Sequence, residues 1–151
     1  MSTNTETTIA PSVTINEVKY LISDLDDKSK SLLNDLTRTV MEYKELLRSY
    51  NQTLTLTNTY ASGLKTEVEK TNVPESSNED APSITIADKK YDGSDLPDSV
   101  KAYVNELVRA NKNKTNIEYR LRQLDASRIT FINTLKAAVE ESGISPTNDQ
   151  G

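Results

Sequence analysis

Leu33, Leu36, Val40, Tyr43, Leu47, Tyr50, Leu54, Thr57, Ala61, Leu64 and Val68 follow one another at alternating spacings of three and four residues. That period keeps one stripe facing a partner helix. Leu33, Val40, Leu47, Leu54, Ala61 and Val68 would hold one heptad core position, and Leu36, Tyr43, Tyr50, Thr57 and Leu64 the other. A second stripe, made of Leu107, Ala110, Ile117, Leu121, Leu124, Phe131, Leu135 and Ala138, predicts another long amphipathic helix, interrupted at Lys114 and Arg128. Ahead of each stripe stands a short β-prone alternation, Val13-Thr14-Ile15 or Ile84-Thr85-Ile86. A polar turn follows at Asn16-Glu17 or Ala87-Asp88-Lys89, and then a second short strand around Tyr20 or Tyr91. Each set reads as a β-hairpin. Two strands alone are marginal in water, so Val13, Ile15 and Tyr20 are expected to rest on the helix that follows.

The two sets are alike in sequence as well as in pattern. Shifting the chain by 71 residues without a gap lays Pro11 on Pro82, Thr14-Ile15 on Thr85-Ile86, Lys19-Tyr20 on Lys90-Tyr91, and Ser23-Asp24-Leu25 on Ser94-Asp95-Leu96. Lys30, Asn34, Leu36 and Arg38 then fall on Lys101, Asn105, Leu107 and Arg109, and Leu64-Lys65 and Val68-Glu69 on Leu135-Lys136 and Val139-Glu140. Such self-similarity marks an internal repeat. The expected fold is mainly α, a tandem duplication of a short β-hairpin followed by a long amphipathic helix. Residues 1–10 read as a disordered tail, 11–70 as repeat 1, 71–82 as a Pro- and acid-rich linker, 83–141 as repeat 2, and 142–151 as a second disordered tail.

Helix starts are signalled at Ser23 to Asp27 and Ser94 to Asp98, where acids suit the positive helix end and Pro97 suits the first turn. Gly63 is the one residue expected to break the first helix before about Lys70. Gln52 to Tyr60 alternates as a strand would, but its partner Gln123 to Phe131 does not, so a soft helical stretch is expected there. About 43 residues make a helix of about 65 Å, whereas a 12-residue linker spans at most about 40 Å. The helices should therefore pair as an antiparallel hairpin or coiled coil.

Composition narrows the chemistry. The chain has 151 residues, no His, Cys or Trp, one Phe and four Gly. Triads and metal clusters built on His or Cys are excluded, and neither a phosphate-cradling loop nor a dinucleotide fingerprint can be drawn. No catalytic, cofactor-binding or metal residue is assigned. The carboxylates Asp24, Asp26 and Asp27, and Asp92, Asp95 and Asp98, sit at helix starts, where capping accounts for them. With 27% charged residues and a mean hydropathy of -0.63, no stretch is apolar enough to span a membrane, and the polar start lacks a signal peptide's pattern.

Basic residues cluster at Arg109, Lys112, Lys114, Arg120 and Arg122. A polyanion contact is one reading of them. A net charge of -5 and a pI near 4.8 favour instead a solvated face, or charge pairing within the fold or between subunits.

The unit written as Ile84 to Tyr91, then Ser94-Asp95-Leu96, Lys101 and a long helix reaching Phe131 and Leu135, resembles small uncharacterised proteins of marine cyanobacterial phages and related myoviruses. The resemblance spans residues 12–70 and 83–141. Those proteins open with a Thr-Ile-turn-Tyr hairpin leading into one amphipathic helix, and their turn is often Asp-Gly, unlike Asn16-Glu17 and Ala87-Asp88 here. It implies a phage setting, in the virion or the host cytoplasm, and no catalytic residue. The expected function is that of a non-enzymatic interaction protein in virion structure or assembly. Its partner would be itself as a homo-oligomer or another phage structural protein, and its contact residues would be Leu33, Leu36, Val40, Tyr43, Leu47, Tyr50, Leu54, Leu64, Leu121, Leu124, Phe131 and Leu135. The alternative is a small phage regulator that binds a host protein or nucleic acid through the basic segment of the second helix.

Overall fold

The computed structural model describes residues 10–76, 82–94 and 96–147. Its elements run β1 (Ser12–Ile15), β2 (Val18–Leu21), a short 3-10 turn (Ile22–Asp24), α1 (Asp27–Thr71), β3 (Ser83–Ile86), β4 (Lys89–Asp92) and α2 (Asp98–Ser142). The protein is mainly helical, with two long helices that pack against each other and two small hairpins. Every strand and helix boundary in the second set lies 71 residues beyond its equivalent in the first.

Both hairpins are antiparallel, with Val13 opposite Tyr20 and Ile84 opposite Tyr91. Their turns have two central residues with positive φ, Asn16 and Glu17 at 51° and 65°, Ala87 and Asp88 at 49° and 65°. This left-handed pair matches the twist of the flanking strands and normally selects Asn-Gly. Each hairpin is extended at its open end by one further bond, from Ile22 N–H to the Pro11 carbonyl and from Gly93 N–H to the Pro82 carbonyl.

Asp26 caps α1, its carboxylate accepting the Ser29 N–H at 2.8 Å. The equivalent residue, Pro97, stands just before α2 rather than inside its first turn, and its carbonyl accepts the Lys101 N–H at 3.0 Å. Ser29 and Val100, also equivalent, are both fully buried. Neither helix breaks. Gly63 and the stretch Gln52 to Tyr60 are helical throughout, because the close packing of Gly63 on Tyr103 makes its missing side chain an asset.

The chain divides into two compact units, and they cut across the repeats. The first comprises Met1–Lys44 with Arg122–Gly151, the second Glu45–Leu121. In the first unit, Ile15 and Leu25 are buried with Leu135 and Val139, and Val13, Tyr20, Leu32, Leu33, Leu36 and Ile144 pack around them. In the second, Ile86 and Val100 are buried with Leu64, Val68 and Val73, and Ile84, Tyr91, Leu96, Tyr103, Val104 and Leu107 pack around those. Each hairpin therefore rests on the start of its own helix and on the end of the other one. The hairpin rests on the helix that follows, as expected, and the end of the other long helix joins the same core.

Both helix ends turn off through a residue in the left-handed region, Asn72 at φ 52° and Gly143 at φ 68°, the two residue types that tolerate it best. The chain then joins a hairpin. Ser76 N–H donates to the Lys90 carbonyl at 3.0 Å and Asp92 N–H to the Pro74 carbonyl at 3.2 Å, while Glu75 bridges Tyr91. Seventy-one residues on, Thr147 N–H donates to the Lys19 carbonyl at 2.8 Å. The expected linker and tail are thus corrected in part. Residues 73–76 and 144–147 are structural, with Val73 and Ile144 contributing to the cores, because each hairpin edge offers unpaired backbone groups that these segments satisfy. Residues 77–81, 1–9 and 148–151, the remainder of the expected linker and tails, lie outside the described residues.

Candidate interaction surfaces

Along α2, Leu107, Ala110, Lys114, Ile117, Leu121, Leu124, Arg128, Phe131, Leu135 and Ala138 are all buried or half-buried, as are Val100, Tyr103, Val104 and Val139, which lie outside the stripe read from sequence. Leu107 to Ala138 in that order are the stripe read from sequence with its two interruptions included. Lys114 and Arg128 are half-buried, as long side chains with aliphatic stems can be at such positions. Arg128 donates through Nε and Nη2 to Asp125 at 3.2 and 2.9 Å.

Moved back by 71 residues, the α2 stripe gives Leu36, Thr39, Tyr43, Leu46, Tyr50, Thr53, Thr57, Tyr60, Leu64 and Glu67. All ten are buried or half-buried in α1. The heptad read directly from α1 had Leu36, Tyr43, Tyr50, Thr57 and Leu64 on this line; its other position holds at the two ends, where Leu33 and Val68 join the cores, but not along the middle of the helix. Thr39 and Thr53 are buried where Val40 and Leu54 were expected to lead, and Leu47 and Ala61 are exposed. Threonine can hold these sites because its hydroxyl bonds back along the helix. Thr39, Thr53 and Thr57 donate to the carbonyls of Asp35, Ser49 and Thr53 at 2.8 to 2.9 Å, which leaves their methyl groups to face inward.

The sequence-selected contact residues consequently divide. Leu64, Leu124 and Leu135 are buried, and Leu33, Leu36, Val40, Tyr43, Tyr50, Leu54, Leu121 and Phe131 are half-buried. Leu47 alone of the twelve stands open, with 39% of its surface exposed. Within the second unit the Tyr50 hydroxyl donates to Glu118 Oε1 at 3.0 Å. That bond, followed by desolvation and the charge of Glu118, holds the phenol above its ordinary pKa. Together with Tyr103 lying on Gly63, the Tyr50 to Glu118 bond fixes the two helix segments of this unit as antiparallel.

The five basic residues do not assemble into one face. Arg109 pairs with Glu106 at 3.4 Å and, with Lys112, borders an open groove of about 410 Å³ alongside Leu56, Tyr60 and Asn116. Lys114 is turned into the helix stripe, Arg120 is exposed and engaged in an interaction of its own, and Arg122 belongs to the other unit.

Of the acidic clusters, Asp26 caps α1, and Asp92, at the end of β4, closes a turn by accepting from Ser94. The Ser29 side chain and N–H hold the Asp26 carboxyl below its ordinary pKa, and the Ser94 hydroxyl and N–H, at 2.6 and 3.0 Å, do the same for Asp92. Asp95 lies outside the described residues. Among the described residues no group of three or more acidic, His or Cys side chains could hold a metal ion, and no helix is long and apolar enough to cross a membrane.

No protein-family model, curated protein or solved structure matches the chain. The two hairpin-plus-helix segments, whose elements correspond at an offset of 71 residues, can be compared with each other. Thr39, Leu46, Thr53, Tyr60, Val73 and Ile144 are the packing residues that direct reading of α1 and of the chain ends missed. Transferring the α2 stripe by the repeat offset would have found the first four.

Proposed function

We propose that this is a non-enzymatic interaction protein, a duplicated hairpin-plus-helix module paired in the manner of an antiparallel coiled coil, that docks through the outer flank of α1 in phage particle structure or assembly. One internal comparison carries the docking surface. Val40, Leu47 and Leu54 are apolar, whereas the equivalent positions of α2 are Asn111, Glu118 and Asp125. The second helix manages its packing with polar residues there, so the architecture does not demand apolar ones. An exposed leucine at 47 is then explained by a partner that covers it. The phage setting rests on the resemblance of the repeat unit to small phage proteins.

Replacing Leu47 by Asp tests the docking surface. Helicity should be retained, since the side chain is outside both cores, and co-purification with the partner, or self-association of natively purified chains in dilute solution, should be lost. Unchanged association would remove this surface from consideration. Mass spectrometry of purified particles tests the setting, a fixed copy number supporting a structural part.

A further inference from the structure

In both units a hairpin and helix start act as an acceptor, and the end of the other helix with its following strand acts as a donor. The acceptors are Ile15, Leu25, Leu33 and Leu36 in one unit and Ile86, Leu96, Val104 and Leu107 in the other. The donors are Leu135, Val139 and Ile144 against Leu64, Val68 and Val73. Two of the three donor side chains are identical and the third differs by one methylene. The donor strands repeat the same bond, Thr147 to Lys19 and Ser76 to Lys90. The donor of the second repeat therefore carries the side chains and the backbone bond that the acceptor of the second repeat receives. A single repeat cannot bring its own donor to its own acceptor, because a 45-residue helix of about 68 Å separates them.

We infer that a second copy of this chain is a partner through its second repeat: Leu135 to Thr147 of one copy docks on Ile84 to Leu107 of the other, and the reverse contact forms at the same time. The result is a symmetric pair whose two cores differ from the second unit's own core by the replacement of Val73 with Ile144. Such exchange of equivalent elements needs no new surface. Within one chain the first repeat competes at high effective concentration, so the paired form is favoured when copies are crowded or when the first repeat is disengaged. This mode does not use the Leu47 flank.

The absence of cysteine makes the test direct. Full-length chains carrying Lys90→Cys are mixed with full-length chains carrying Thr147→Cys, unfolded in urea, refolded together at high concentration and oxidised. A disulfide-linked species of twice the chain mass, joining position 90 of one copy to position 147 of the other and persisting in a Leu47→Asp background, is the expected result. In a second arm the full-length Ile15→Asp/Leu64→Asp variant, whose first repeat can neither accept nor donate, should sediment as a dimer and keep helical signal. The inference is overturned if no 90-to-147 adduct forms and the double variant is an unfolded monomer, or if, with Lys19→Cys chains added to the same mixture, position 147 crosslinks only to position 19.

Discussion

The ring of Tyr103 lies so closely on Gly63 that a methyl group built there would sit 2.6 Å from Cε1 and 3.1 Å from Cζ. A glycine inside a helix ordinarily costs about 1 kcal/mol relative to alanine, and overpacking costs about 1–3 kcal/mol. Gly63→Ala should therefore lower stability by about 1 kcal/mol in urea unfolding, against the usual helix trend. In a Tyr103→Leu background, which copies the Leu32 of the first repeat, the same change should become stabilising. Equal effects in both backgrounds would show that the ring yields freely.

Burial separates two leucines that the heptad treated alike. Leu135 is 1% exposed and Leu47 39%. Leu135→Ala should cost about 3 kcal/mol through lost transfer energy and the cavity left behind, while Leu47→Ala should stay below about 1 kcal/mol. Denaturant midpoints of the two variants provide the check, and comparable losses would place Leu47 back in a core.

Strain at the second turn can be relieved. Ala87 holds φ 49° without a side chain suited to it, and left-handed backbone costs an ordinary residue about 1–2 kcal/mol. Installing Asn at 87 and Gly at 88 should raise stability by about 1 kcal/mol, seen as a higher melting temperature, with no change in helix content.

Acid sensitivity should trace to one helix cap and one turn. Asp26 and Asp92 have carboxyls held below their unfolded values by Ser29 and Ser94. Their contribution is complete above an unfolded pKa of about 3.9 and disappears as pH falls through the lower folded value. The Asp26→Asn/Asp92→Asn variant should keep most of its stability at neutral pH, since Asn caps comparably. Its unfolding midpoint should then fall less steeply between pH 4 and pH 2 than that of the parent.

Much of this architecture was readable from residue order. Hairpins, helix limits and the 71-residue equivalence follow from Thr14-Ile15, Thr85-Ile86 and the uninterrupted stripes. The inward face of α1 did not, because Thr39 and Thr53 look polar until their hydroxyls are seen bonding back to Asp35 and Ser49, whereas Leu47 looks apolar wherever it points. Lys114 and Arg128 misled in the opposite sense, being charged and yet half-buried. The roles of Val73 and Ile144 were hidden because a single apolar residue among polar neighbours carries no periodic signal. The identity of the partner proposed for Leu47 is not encoded in local pattern at all.

The strand crossing from each helix end to the opposite hairpin also dictates an order of completion during synthesis. Everything the second unit needs has left the ribosome once residue 121 is clear, but the first unit draws on residues as far apart as Ser12 and Thr147. The hairpin translated first is thus the last to find its mate, and it stays exposed to any neighbouring nascent copy until Thr147 has emerged.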